Sequence, residues 1–333
     1  MLSQVSGSPT VLPLPRLTAW DCSTRGVSLR TTADYRYGGG TIAARDCFDQ
    51  NDEPMISVAT RARTVLTRLY FALGVALGAH STLVGASYYR HQLKRSNTLF
   101  ILAPGNSITR FTPDTFEHIA AHDSLGINSF AVHHFMPTYS LLETHGASLG
   151  LLDFLASHPA TTEGLQVLYK GFSSPRRTRL VNFVSNLRQL RALRRGRPWL
   201  LKEGYANDIG APTTVVDLLC NTADDRFYNY RGSVVYCVGL AYKAGYEQVV
   251  ICGVDFSSAY FYDDNPEYAI DAQKYPFINI VSLIGADPVL TGQVLDAIKA
   301  AAGLFSETGR GRVFQLGCDG PLADALPAYS IQA

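Results

Sequence analysis

The chain has 333 residues, of which 47% are hydrophobic and 17% are charged, so it can bury a full-sized core as one large domain or two small ones. Its 29 basic and 28 acidic side chains nearly balance, which argues against nucleic acid as a partner of the whole molecule. The six cysteines never take the C-x-x-C spacing of a zinc knuckle or redox pair, and this pattern favours a reducing compartment.

Residues 1–54 mix Pro, Ser, Thr and Arg without helical or strand periodicity. We expect them to be mostly disordered, or to be an over-long gene prediction ahead of a natural start at Met55. They contain no basic block followed by an apolar block and a small-residue cleavage site, so we expect no secretory signal there.

Segment 55–96 is predicted to be apolar and helical, because the run from Leu69 to Tyr89 carries no formal charge. A helix of that length spans about 31 Å, enough to cross the apolar core of a bilayer. Glycine, serine and histidine dilute the run, and basic residues flank it on both sides, so no orientation bias is visible. Two interpretations stay open: a helix in or on a membrane, and a helix packed on the domain.

A strand, a glycine-containing turn and a helix follow from Asn97. Residues 98–111, "TLFILAPGNSITRF", indicate an apolar strand that runs into a turn, and Thr112 and Pro113 suit the N-cap and first position of a helix. This succession predicts an α/β fold, a Rossmann-like, doubly wound and mostly parallel sheet, in one domain over 97–330. A dinucleotide site would need G-x-G-x-x-G here, and one glycine alone disfavours a dehydrogenase.

Further strands are predicted within "LGINSFAV", "TYSLLE", "LQVLYKG", "GYEQVVICGVDF" and "RVFQLGCDG", and a helix is predicted over 231–246 with Ser233 as N-cap. Ligands of open α/β sheets bind outside the carboxyl ends of the strands. Segments with polar and turn-forming residues fall at those ends, namely Pro104–Ser107, Asn128, Glu143, Asp255–Ser258 and Cys318–Gly320. We expect them to converge on one site, although each one singly could do no more than cap its own turn.

The segments "LAPGNSI", "GINSF", "GSVVYCVGLAYKAGYEQVVICGVDF" and "FQLGCDGPLADAL" resemble, in order and spacing, the bacterial CMP-sialic-acid-dependent sialyltransferases that cap lipooligosaccharides, glycosyltransferase family 42. The resemblance covers about residues 98–327, and the block 231–256 is its most specific part. It implies a GT-A-like variant of the Rossmann-like fold with a small lid at about 257–287. It also implies an inverting, metal-independent transferase whose donor substrate is a CMP-sugar and which uses no cofactor.

The resemblance further implies which residues surround the donor. They are Pro104, Gly105, Asn106, Ser107, Asn128, Glu143, Ser233, Asp255, Ser257, Asp319 and Gly320. Asp255 belongs to a G-[IV]-D-F motif, and we expect it to hold the site loop by accepting backbone N–H bonds, with direct contact to the nucleotide sugar left open. The chain departs from the family pattern at Pro104, Glu143 and Ser257, and most seriously at Ala286, where the family has its catalytic histidine.

Sugar transfer needs a base for the acceptor hydroxyl and groups that stabilise the departing phosphate. Tyr260 and Tyr262 are the predicted phosphate partners, with packing beneath the lid as their alternative role. Asp287, beside Ala286, is the predicted base, with capping of the following helix as its alternative role. Other side chains that could reach the site are His133, His134 and Glu143. The acidic pairs in "YDDN" and "ADD" read as solvated, so no metal site is predicted.

The segment from Arg176 to Arg197 contains eight arginines and no acid, with leucine and valine at helical spacing between them. This pattern indicates a basic amphipathic helix. It is either a lid helix with a solvated face or a surface that attracts an anionic membrane or a phosphorylated glycolipid acceptor. Nucleic acid is disfavoured, because Phe183 is the one aromatic residue among the arginines.

Together these features predict a cytoplasmic glycosyltransferase, peripheral to the inner membrane, that transfers sialic acid or a related acidic sugar from a CMP-sugar to a cell-surface glycan or glycolipid. Two alternatives stay open. One is a related transferase with another nucleotide-sugar donor, and the other is a nucleotide-binding homologue without catalysis. The sequence does not decide between a monomer and an oligomer.

Overall fold

The computed structural model describes residues 82–143, 166–170, 199–205 except 202, 212–270 except 258, 264 and 269, and 287–331, with single positions in 151–158. The sequence predictions for 1–54, for 69–81 and for Arg176–Arg197 lie outside the described residues, and so does Ala286. Much of the predicted lid, 271–286, lies outside them as well.

Ten strands occur in the described part of the chain. Their bounds are β1 Thr82–Val84, β2 Thr98–Leu102, β3 Asp123–Ile127, β4 Tyr139–Glu143, β5 Val167–Lys170, β6 Trp199–Leu201, β7 Glu203–Tyr205, β8 Phe227–Asn229, β9 Gln248–Cys252 and β10 Arg312–Leu316. Eight of them form one sheet in the order β1-β6-β5-β4-β3-β2-β9-β10, with every neighbouring pair parallel, while β7 and β8 pair separately.

The neighbouring interior strands β2 and β9 show that the sheet is covered on both faces. Strands β2 and β9 are continuous apolar runs, as is typical of parallel strands buried on both sides. Leu99 and Ile101 face one hydrophobic cluster, whereas Phe100 and Leu102 face another, because successive side chains in a strand point to opposite faces. The predicted doubly wound parallel α/β fold is therefore confirmed.

Helices cover both faces of the sheet. Their bounds are α1 Ala86–Tyr88, which continues as a π-helical turn Tyr89–Leu93, α2 Pro113–Ala120, α3 Pro212–Cys220, α4 Ser233–Ala244, α5 Pro288–Glu307 and α6 Pro321–Ala325. Short 3-10 segments occupy Asn106–Arg110, Asn128–Val132 and Pro266–Tyr268. Helix α2 begins as the sequence predicts, because Thr112 Oγ1 accepts the N–H of Thr115 at 3.3 Å and Pro113 takes the first position.

Helix α4 lies against the sheet with nearly every side chain buried, and Gly239 allows it to approach Leu219 of α3 closely. Its start corrects the sequence prediction: the N-cap is Gly232, and Ser233 is the first helical residue. The Ser233 hydroxyl instead bonds to Glu143 and Lys170 at the ends of β4 and β5.

The segment preceding β2 also differs from its prediction. Thr82–Val84 form edge strand β1, paired in parallel with Trp199–Leu201, whereas the sequence suggested one helix through Tyr89. Threonine and valine favour a pleated strand, and the hydrogen bonds of β6 supply the pairing that a local pattern cannot reveal. Within the described ranges, no helix is both long enough and apolar enough to cross a bilayer.

Candidate functional site

The order of the described strands reverses between β2 and β9. From β2 the chain proceeds through β3, β4, β5 and β6 toward one edge, while β9 and β10 lie on the other side of β2. In open α/β sheets the crevice outside the carboxyl ends of strands at such a reversal is where ligands bind. A ligand site is therefore expected at the segments that follow β2 and β9.

Asp255 joins the two loops that border this crevice. Its Oδ2 accepts the N–H of Ser107 at 2.8 Å and its Oδ1 accepts the Ser107 hydroxyl at 2.5 Å. The same Oδ1 accepts the N–H of Asp319 at 3.2 Å, so the loop after β10 is attached too. One carboxylate thus holds three strand-end loops together, which explains an acid at the end of an apolar strand.

Glycine is required where the loops after β2 and β9 touch. The Gly105 N–H donates to Gly253 O at 2.8 Å, and a Cβ on Gly105 would lie 2.3 Å from that same oxygen. Gly253 adopts φ +68°, and its Cβ would lie 2.2 Å from Ala103 O. Gly105, a predicted site residue, and Gly253 therefore serve the contact between the two loops, since any side chain would push the loops apart.

The loop after β10 is fixed by a second set of contacts. Arg110 Nη2 donates to Gly317 O and pairs with Asp319 Oδ1 at 2.9 Å, with both charged side chains more than half exposed. Gly317 has φ +66° and lies against the Phe111 ring. An exposed pair of this kind contributes little stability, so its role is to orient the Asp319 loop beside Asp255.

Tyr260 and Tyr262 lie on a loop that docks onto the same turn. Gly105 and Tyr260 form an antiparallel bridge, and the Phe261 N–H donates to Pro104 O at 3.0 Å. The two tyrosine rings stack with centroids 5.2 Å apart, and Tyr262 OH donates to Ser129 Oγ at 3.1 Å. Burial raises the pKa of the Tyr262 phenol, so it stays protonated and able to donate a hydrogen bond.

Asn128 stands at the carboxyl end of β3, next to this group. Its φ is +52°, a left-handed conformation that asparagine tolerates better than most residues. Its Oδ1 is buried and has no hydrogen-bond partner within the described residues. Because an unsatisfied buried acceptor costs about 1–3 kcal/mol, an N–H or O–H supplied by a ligand would relieve that cost.

The two histidines that follow Asn128 differ in what they can do. His133 stacks on Phe130 and meets the edge of Phe261, and its Nδ1 accepts the N–H of Phe135 at 2.9 Å. Burial, followed by the neighbouring His134, lowers the pKa of His133 to about 4. With Nδ1 accepting, Nε2 carries the proton of the neutral ring, so His133 is a donor and a poor base.

His134 instead stacks on Tyr268, with ring centroids 4.7 Å apart. Its Nε2 lies 3.3 Å from Glu267 Oε1, and both side chains are mostly exposed. Residues 265–268 of the predicted lid therefore rest on the segment that follows β3.

Glu143, Lys170 and Ser233 form a second cluster at the carboxyl ends of β4 and β5. Lys170 Nζ donates to Glu143 Oε1 at 2.6 Å and to Ser233 Oγ at 3.2 Å, and the Ser233 hydroxyl donates to Glu143 Oε1. The Lys170 side chain is 4% exposed and that of Glu143 is 16% exposed. The sequence pattern indicated Glu143 and Ser233 but not Lys170, because one lysine at a strand end has no distinguishing pattern.

Asp287 is placed as the N-cap of α5. Its Oδ1 accepts the N–H of Val289 at 2.9 Å and of Leu290 at 3.2 Å. This is the alternative role that the sequence left open for it. No described contact joins Asp287 to the loops held by Asp255, so its use as a base stays a prediction.

The strand ends thus gather most of the predicted residues into two groups. Around Asp255 lie Pro104, Gly105, Ser107, Asp319, Tyr260 and Tyr262, with Asn128 at the next strand end. The second group is Glu143 with Ser233. Asn106, Ser257 and Gly320 are exposed on the connecting loops. Among the described residues, no group of three or more His, Cys, Asp or Glu side chains is arranged to hold a metal ion.

Comparison with known proteins yields little similarity. No protein-family model matches the chain, and no curated protein matches it. The chain is similar to the solved structure of the sialyltransferase CstII from Campylobacter jejuni in complex with a substrate analogue, CMP-3FNeuAc. Identity is 14%, the match covers 69% of this chain and 84% of that one, and the TM-score is 0.38. This likeness does not by itself assign a family or a function.

Proposed function

We propose that this chain is a glycosyltransferase that moves an acidic sugar, sialic acid or a relative, from a CMP-activated donor to a cell-surface glycan or glycolipid. The observation that supports the proposal is the place of the G-V-D-F motif. Its Asp255 joins the loops after β2, β9 and β10 at the reversal of strand order, where a nucleotide is expected. The donor class comes from the sequence resemblance of residues 98–327.

The nucleotide would lie between the Asp255 group and Asn128. The unsatisfied Oδ1 of Asn128 suits an N–H or O–H of the ligand, such as the cytosine amino group or a ribose hydroxyl. Tyr260 would donate to the departing phosphate, and Tyr262 would do so by exchanging its bond to Ser129 Oγ for one to the ligand. Hydrogen-bond donors directed at developing charge can act there without a metal ion. Inversion at the sugar would follow from direct attack by the acceptor hydroxyl.

The base in this scheme is Asp287. The scheme has two alternatives, each favoured by a specific observation. The carboxylate already accepts two backbone N–H groups as a helix cap, which favours a nucleotide-binding homologue without catalysis. The altered residues Pro104 and Glu143 favour a related transferase with a different nucleotide-sugar donor. The proposed location is the cytoplasmic face of the inner membrane, with Arg176–Arg197 drawn to anionic lipid or a phosphorylated acceptor.

A thermal-shift screen of CMP, CDP, UMP, UDP and GDP, each with and without Mn²⁺, tests the proposal. A nucleotide present at 100 times its Kd adds about 2.7 kcal/mol of stability, which is readily seen as a higher Tm. We expect CMP to raise the Tm equally with and without Mn²⁺.

If a nucleoside diphosphate raises the Tm only with Mn²⁺, the donor is a nucleoside-diphosphate sugar and not a CMP-sugar. Binding of CMP without transfer from CMP-sialic acid to any glycan acceptor would favour the homologue without catalysis. No shift with any of the five nucleotides would contradict the proposal.

A further inference from the structure

Lys170 is a buried cation at the edge of the sheet where ligands bind. It ends β5 directly opposite Glu143, which ends β4. Its ammonium group contacts Glu143 Oε1, Ser233 Oγ and the face of the Tyr236 ring, 4.9 Å from the ring centroid. With three such partners, the three N–H donors of the ammonium group are all directed within the protein.

The part of this cluster that a ligand can reach is the carboxylate and the hydroxyl. The Glu143 side chain is 16% exposed and Ser233 is partly buried, whereas the Lys170 side chain is 4% exposed. The Ser233 hydroxyl bonds to Glu143 and Lys170, and Gly232 rather than Ser233 is the N-cap of α4. Lys170 therefore acts on a ligand through Glu143 and Ser233 rather than by touching it.

A contribution to the stability of the core is a weak explanation for the buried Lys170–Glu143 ion pair. A buried ion pair loses much of its Coulombic gain to desolvation, and apolar side chains of similar volume can stabilise a core as well. The opposite end of α4 offers a contrast. There the fully buried Lys243 donates to the carbonyl oxygens of Asp224 and Arg226, a role that fastens backbone to backbone.

We propose that Lys170 is a positioning residue of the donor site, whose ammonium group holds the Glu143 carboxylate and the Ser233 hydroxyl in the orientation that receives the nucleotide-sugar. The inference rests on the proposed function. Strand neighbours lie about 4.8 Å apart, so the ends of β4 and β5 are about 10–14 Å from β2. A nucleotide-sugar bound at the crevice beside β2 can span that distance.

The test measures the Kd of CMP-sialic acid by calorimetry and the urea midpoint of unfolding, both with the full chain. The double variant Glu143→Gln/Lys170→Met removes both charges of the pair together. We expect its urea midpoint to stay near that of the wild type, while Kd rises at least about tenfold. Lys170→Arg keeps the charge and the donors, and we expect it to bind within about threefold of the wild type.

Lys243→Met is the matched control, because it also removes a buried lysine, on a helix that both sites share. We expect it to lower the urea midpoint and to leave Kd within about twofold. If the double variant fails to fold, Ser233→Ala takes its place, with an expected Kd increase of about fivefold at an unchanged midpoint.

Wild-type Kd in Glu143→Gln/Lys170→Met, or in Ser233→Ala where that variant replaces it, overturns the inference. An equal loss of affinity in Lys243→Met overturns it too, because general loosening would then explain the result. If the wild-type chain itself does not bind CMP-sialic acid, the proposed function is wrong and the inference falls with it.

Discussion

At the scale of single residues, Asp255 shows how one side chain makes a site out of several loops. The carboxylate accepts two N–H groups and one hydroxyl from segments that follow β2 and β10. Backbone N–H groups that end without a partner in a half-buried loop are costly. An acceptor with two oxygens is therefore what this junction needs, and an amide cannot replace it fully.

Asp255→Asn should lower the free energy of unfolding by about 1–3 kcal/mol, because one accepting oxygen becomes an NH₂ group that faces donors. Urea unfolding followed by circular dichroism measures the loss. Asp296→Asn, an exposed change on α5, is the control and should stay within about 0.5 kcal/mol of the wild type. Equal midpoints for the two variants would show that Asp255 does not hold the loops.

The variant Asp287→Asn distinguishes the two roles considered for Asp287, the N-cap of α5 and the base of the transfer reaction. Asparagine caps helices about as well as aspartate, so the urea midpoint should remain unchanged. It cannot take a proton from the acceptor hydroxyl, so transfer from CMP-sialic acid should fall by about 10²–10⁴-fold if Asp287 is the base. Full activity in a transfer assay would remove Asp287 from the mechanism and leave it as a cap.

His133 makes stability depend on pH. Burial lowers its pKa from 6.5 to about 4, so the unfolded chain takes up this proton first as the pH falls. Stability should therefore decline between about pH 6.5 and pH 4, by up to about 3 kcal/mol from this group. His133→Asn keeps an acceptor for the Phe135 N–H but does not titrate, so its unfolding free energy should change less over that interval.

Urea titrations at several pH values test this, with the exposed His91→Asn as control. The decisive quantity is the difference in slope between variant and wild type, since lost ring stacking lowers stability equally at all pH values. A His133→Asn slope equal to that of the wild type would contradict the assignment.

At the scale of elements, the glycines of the strand-end loops and of α5 differ in whether a side chain fits in their place. Gly105 has an ordinary φ of −62°, so alanine is excluded there by contact with Gly253 O rather than by backbone conformation. A methyl group on Gly292, inside α5, would meet no atom within 4 Å. The same substitution should therefore destabilise the first site and stabilise the second.

Gly105→Ala should lower the urea midpoint markedly and weaken nucleotide binding, because the loops after β2 and β9 must separate. Gly292→Ala should raise the free energy of unfolding by about 0.5–1 kcal/mol through better helix propensity. Urea unfolding of both variants measures these changes in stability, and thermal melts with and without CMP measure the change in nucleotide binding. A Gly105→Ala protein as stable as the wild type would mean that the loop contact is adjustable.

The sequence predicts elements well where a short stretch decides them. Strands β2 and β9 are apolar runs followed by turns, and Thr112 caps α2 by local chemistry, so all three could be read directly. Strand β1 depends on pairing with Trp199–Leu201, more than a hundred residues away, and a local pattern does not contain that partner. Lys170 was missed for the same reason, because its importance comes from Glu143 and Ser233.

At the scale of the whole molecule, the parallel sheet has two different edges. The carboxyl edge carries Asp255, Asn128 and the Lys170 cluster. The amino edge is closed by structural bonds, among them those from Arg95 N–H, Ser96 N–H and Tyr246 OH to the buried Asp123 carboxylate. All eight strands of the main sheet run in the same direction, so their carboxyl ends lie together. A ligand bound at the crevice should therefore stabilise the loops at the carboxyl ends of the strands and leave those at the amino ends unchanged.

Hydrogen exchange with and without CMP, read by mass spectrometry, tests this polarity. We expect CMP to slow exchange in 103–110, 253–257 and 317–320, because these loops share Asp255 and bound nucleotide reduces their opening. Exchange in 95–97 and 245–247 at the amino edge should change little, and these segments are the internal control. Protection of the amino edge, or equal protection of both edges, would place the ligand elsewhere and separate the Asp255 junction from nucleotide binding.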